Sequence, residues 1–86
     1  MLFRSNLAAC DHLGYIYAQW GDQGRAEAAF KSALAMNSAD THAHYHLGLI
    51  YAATGRNSQA LAELQTALAA DPQNPEILSA LEKLRR

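Results

Sequence analysis

Apolar residues recur along the chain in five blocks at helical spacing, separated by short polar breaks. In the first block Cys10, Leu13, Gly14 and Tyr17 fall at i, i+3, i+4 and i+7, one stripe of a helix. The block predicts a helix from about Leu7 to Trp20, capped by Ser5 or Asn6 after a short lead-in and stopped by Gly21. Asp22 or Gln23 opens a second helix, to about Met36, with Ala26, Phe30, Ala33 and Leu34 facing inward. After the turn Asn37-Ser38-Ala39-Asp40, a third helix from about Thr41 to Thr54 carries His44, Leu47, Gly48 and Tyr51 on the equivalent stripe and ends at Gly55. Asn57 or Ser58 is expected to cap a fourth, to about Ala70, with Ala60, Leu64, Ala67 and Leu68 inward. Asp71-Pro72-Gln73-Asn74-Pro75 is the sharpest break. Asn74 suits an N-cap and Pro75 a first helical position, where a missing N–H costs nothing. The last block runs from Pro75 to the end. Ile77, Leu78, Leu81 and Leu84 form one face, and Glu76, Glu82, Lys83, Arg85 and Arg86 the other.

The first and third blocks are versions of one another. Leu13-Gly14-Tyr15-Ile16-Tyr17-Ala18-Gln19-Trp20-Gly21 returns 34 residues later as Leu47-Gly48-Leu49-Ile50-Tyr51-Ala52-Ala53-Thr54-Gly55. A fixed period of this size means stacked copies of one supersecondary unit. Connections of two to five residues make successive helices antiparallel neighbours. The expected fold is all-α, an α-solenoid of antiparallel helix hairpins. Residues 1–6 form the lead-in, 7–40 the first unit, 41–74 the second, and 75–86 a capping helix or truncated third unit. Gly14 and Gly48 are read as points of close helix approach, met by Ala26, Ala33, Ala60 and Ala67, with Tyr17, Tyr51 and Phe30 filling the wider gaps.

These residues resemble the tetratricopeptide repeat family, whose pattern is W-x2-L-G-x2-Y, then A-x3-F, then P. The first unit reads Cys10, Leu13, Gly14, Tyr17, Ala26, Phe30, Ala33 and Ser38. The second reads His44, Leu47, Gly48, Tyr51, Ala60, Leu64, Ala67 and Pro72. The departures are Cys10 and His44 in place of tryptophan and Ser38 in place of proline. The resemblance covers about Leu7 to Asn74 and implies a protein-interaction scaffold. Such scaffolds bind an extended or helical peptide in a concave groove lined by the first helix of each unit. Carried onto this chain, the groove consists of Asp11, His12, Tyr15 and Gln19, then His42, Tyr45, His46 and Leu49, with Lys83 from the last helix. Tyr15, Tyr45 and Leu49 would take apolar side chains, and Lys83 and Arg86 an acidic group at one end. One subfamily clamps the carboxylate tail of heat-shock chaperones with lysine, asparagine and arginine. The matching positions here are Asp11, Tyr15, Leu49, Ser79 and Lys83, of which only Lys83 fits, so that ligand is not expected.

Composition narrows the rest. The chain has 86 residues, half of them apolar, and a formal net charge of −1. No basic run exceeds Arg85-Arg86, so binding to nucleic acid through a basic face is not expected. No apolar stretch has the length of a bilayer span and no leader-like segment opens the chain, which favours a cytoplasmic location. Cys10 is the single cysteine and reads as a small buried residue, with no intramolecular disulfide. No nucleophile–base order, paired-carboxylate site or phosphate-cradling loop is visible, so neither catalysis nor a cofactor is expected.

Of the four histidines, His42 and His46 share one face, where His12 from the neighbouring unit could join them; His44 points toward the fourth helix. They are read as solvated groove-edge groups, with metal or pH-responsive binding as a minor alternative. Trp20 is expected to pack within the chain, with an interface contact as its alternative. Two units are fewer than repeat proteins usually need, so self-assembly into a homodimer, or a place within a longer array of repeats, is the second functional reading.

Overall fold

In the computed structural model, which describes residues 7–85, the five expected helices form: α1 (Leu7–Gln19), α2 (Gln23–Met36), α3 (Thr41–Ala53), α4 (Asn57–Ala70) and α5 (Pro75–Arg85). The lead-in, the Ser5 or Asn6 cap and Arg86 lie outside the described residues. α1 and α2 form one hairpin and α3 and α4 a second; α2 packs on α3 and α4 on α5. α3 also touches both α1 and α5, whereas among the described residues α2 and α4 do not touch. The stack therefore curves, with α1, α3 and α5 on its concave side.

Each hairpin closes over a glycine. A Cβ on Gly14 would stand 2.7 Å from the Phe30 ring, and one on Gly48 would stand 2.6 Å from Leu64 Cγ. Ala26, Ala33, Ala60 and Ala67 are fully buried on the opposing helices, so the backbones come as near as small side chains permit. The α1 and α3 ends are also alike. Gly21 and Gly55 take φ of 80° and 81°. Asp22 N–H donates to Tyr17 O at 2.9 Å, and Arg56 N–H donates to Tyr51 O at 2.7 Å. A left-handed glycine followed by that bond is a common way to end a helix without orphaned carbonyls.

Asp22, Asp40 and Asn74 cap α2, α3 and α5. The expected cap of α4 by Asn57 or Ser58 does not occur. Arg56 holds that position without a side-chain cap. Its carbonyl already accepts from Ala60 N–H, which places Asn57 and Ser58 inside the first turn. The Arg56 side chain reaches back to α2 instead. It grips both oxygens of Glu27, at 2.8 and 3.3 Å, and lies 4.6 Å from the centre of the Tyr51 ring.

Three inward expectations are corrected. Leu13 is 47% exposed, although Leu47, at the same place in the repeat, is 1% exposed. Leu47 has the α1–α2 hairpin beside it, and Leu13 has no such hairpin among the described residues. Leu78 is exposed for the mirror-image reason. It stands 34 residues after His44, which faces α4, but no described helix follows α5 to face Leu78. Trp20 does not pack into the chain. It is 76% exposed and meets Tyr17 edge-on, ring centres 6.3 Å apart.

Candidate functional site

The concave side is built by the residues of α1, α3 and α5 that point away from the glycine seams. Between α3 and α5 it deepens into a hollow of about 400 Å³. Tyr45, Leu49, Ala52 and Leu64 line one side, Ala80 and Leu84 the other, with Pro75, Glu76, Ser79 and Lys83 around them. The lining is mainly hydrocarbon, the usual chemistry of a site that takes an apolar side chain. Lys83 is exposed and, among the described residues, belongs to no ion pair. Burial, with the Glu76 charge, raises the Tyr45 phenol above its ordinary range, so it stays a neutral hydrogen-bonding group. A smaller hollow, lined by Ala18, Gln23, His46, Leu49, Ile50 and Ala53, continues on the α1 side of Leu49.

Tyr45, Leu49 and Lys83 are thus brought together, as their spacing suggested. Tyr15 stands exposed on α1 with its hydroxyl accepting from Gln19 Nε2 at 2.8 Å. It meets the edge of His46 at 5.9 Å between ring centres. His12 and His42 are exposed, and His42 lines a separate polar hollow with Thr41, Tyr45, His46, Asp71, Asn74, Glu76 and Ile77.

His46 is not a solvated edge group. It lies flat on Phe30, centre to centre 5.0 Å at 13°, with Tyr45 edge-on at 5.1 Å. Burial and the His42 charge hold it below the ordinary histidine range despite Glu76 and Asp40. It is a neutral aromatic slab in the floor of the groove. His44 is likewise withdrawn from solvent, with Nδ1 2.7 Å from Glu63 Oε1 and Nε2 2.8 Å from Ser38 O. Among the described residues, no group of three or more His, Cys, Asp or Glu side chains is placed to hold a metal ion.

Asp11 departs furthest from its expected role. It turns away from the groove toward Asp40, the buried cap of α3. No paired carboxylates are visible in the sequence, yet these two face one another across the α1–α3 seam. Asp40 was missed because nothing in its own block singles it out. Its signal was the period: Asp40 and Asn74 are 34 residues apart, and each caps the helix that follows it.

The repeat therefore holds at the level of backbone bonds, glycine seams and caps. A model of the tetratricopeptide repeat family matches residues 18–84. The chain belongs to that family. No curated protein matches it. Tetratricopeptide repeats generally mediate protein–protein interaction and are typically non-catalytic. In this tetratricopeptide chain no described helix is long and apolar enough to cross a membrane.

Proposed function

We propose that the chain binds a segment of a partner protein along the face formed by α1, α3 and α5. The apolar hollow between α3 and α5 carries this reading, because exposed Leu49 forms part of its wall. The partner inserts an apolar side chain between Leu49 and Leu84. Lys83 at the rim favours an acidic side chain or a terminal carboxylate next to it. Residues 7–40 and 41–74 act as the two repeat units, and α5 supplies the far wall.

The test is selection of peptides from a random display library, followed by titration of one into isotope-labelled chain. Amide shifts should centre on Tyr45, Leu49, Ser79 and Lys83. Leu49→Glu should weaken binding at least about tenfold, the loss expected when a charge is put against an apolar anchor. Leu49 is exposed, so circular dichroism should show the variant folded. Shifts confined to the convex side, or equal affinity of Leu49→Glu, would reject the groove.

A second reading, self-association, is favoured by the exposure of Leu13 where the repeat buries Leu47. Light scattering at rising concentration should then show dimers that Leu13→Glu abolishes. A strict monomer removes this reading.

A further inference from the structure

The junction between α2 and α3 is fastened at two points, and both fastenings are short of a hydrogen. Asp40 is 7% exposed. Its Oδ1 accepts from the His42 and Ala43 N–H groups at 3.1 and 3.3 Å. Its Oδ2 is buried with no donor among the described residues, and so is Asp11 Oδ1. The two carboxyl groups lie within hydrogen-bonding reach of each other. Two carboxylates cannot bond through acceptors alone; one proton held between them satisfies both. Six residues from Ser38, the second fastening has the same character. His44 sets one ring nitrogen against the Ser38 carbonyl and the other against the Glu63 carboxylate. Both partners only accept, so both ring nitrogens must carry hydrogen and the ring is an imidazolium.

We infer that the α2–α3 junction is a proton-operated latch, closed by a proton shared between Asp11 and Asp40 and by the second proton on His44. Loss of the first sets two buried charges against each other across α1 and α3. Loss of the second costs either the Ser38 or the Glu63 bond. The first weakens the seam between α1 and α3, and the second loosens the hold of α3 on the α2–α3 turn or on α4.

The surrounding charges agree. Burial, the Asp40 bond and the Asp40 charge raise Asp11 to about 7 against the opposing His42. Burial works against charge on His44, but Glu63, the Ser38 carbonyl and Asp40 outweigh it and hold the ring above its ordinary value. From α5, Glu76 bears on His46, not on the latch. On α2, Glu27 is engaged by both Lys31 and Arg56.

Both groups bind their protons more tightly in the folded chain. Their contribution is therefore full at acid pH and lost as pH rises through the folded values. The experiment is a carbon-detected titration of the native chain with melting curves of native, Asp11→Asn and Glu63→Gln proteins. The Asp11 carboxyl should titrate near pH 7, and His44 above the ordinary histidine value. The native melting temperature should fall by about 5 °C or more between pH 6.5 and 8, as the stability change implies for a domain of this size. Asp11→Asn, whose amide donates to Asp40 at any pH, should lose much of that slope. Glu63→Gln should lose the His44 share. An ordinary carboxylate midpoint for Asp11, or a native slope unchanged in Asp11→Asn, would overturn the latch. So would recovery of pH 8 stability on adding calcium or magnesium to native chain alone, which would make the pair a cation site.

Discussion

Gly14 and Gly48 determine how near the helices of each hairpin lie, and the space at each glycine gives predictions of opposite sign. Gly48→Ala drives a methyl group to within 2.6 Å of Leu64 and should cost ~1–3 kcal/mol, the usual price of overpacking. Gly24, in the first turn of α2, has nothing within 4 Å, so Gly24→Ala should stabilise by about 0.5 kcal/mol or less, below the value for a helix interior. Urea denaturation of the two variants checks both. Arg56→Ala should lower the melting temperature by freeing Glu27 and uncovering Tyr51, and Arg56→Lys should recover it only in part, because an ammonium cannot take both carboxylate oxygens in one plane. The glycine seams were legible in the sequence, since a small residue recurring at a fixed period has few other uses. Leu13 was not. Its own pattern matches Leu47, but burial depends on the neighbour that covers it.

The helices were nearly all legible because breaks and caps mark their ends. α5 shows what a cap contributes. Asn74 Oδ1 accepts from Glu76 and Ile77 N–H while its Nδ2 donates to Asp71 at 3.0 Å. Asn74→Ala should cost about 1 kcal/mol, typical of a lost N-cap. Hydrogen exchange should show the loss in α5 amides before those of α3 or α4, because α5 packs mainly on α4. Asn57 and Ser58 misled as caps because Gly55 ends α3 with a bond that commits Arg56 to the next helix. The apolar hollow was legible on its α3 side and, from α5, only at Lys83. Tyr45 and Leu49 follow from helical spacing, but Ala80 and Leu84 enter it through the docking angle of α5. Asp11 was assigned a groove position because spacing places a residue on a face without saying that a cap from the next unit reaches it.

For the whole molecule, pH acts through opposing groups. Asp11 keeps a proton when folded and has lost it when unfolded between about pH 4 and 7, so its contribution declines as pH rises. His46 is the reverse. It is neutral when folded and charged when unfolded below about 6.5, so its contribution grows as pH rises toward that value. Below about pH 6.5 His46 should therefore offset part of the fall in native melting temperature, and above it the fall is uncompensated. His46→Phe keeps a ring on Phe30 but removes the offsetting limb, so below about pH 6.5 its melting temperature should fall more steeply than the native one. An equal slope for His46→Phe would place the compensation elsewhere.

The curvature of the stack has a mechanical consequence. Within a hairpin, glycine and alanine seams leave no slack. Along the concave side, α1, α3 and α5 touch lightly, and on the convex side α2 and α4 make no contact among the described residues. Such an object is stiff in its segments and compliant at its joints. A guest wedged into the groove deforms the bend, leaving the hairpins intact, and the affinity measured for it includes the work of bending its host.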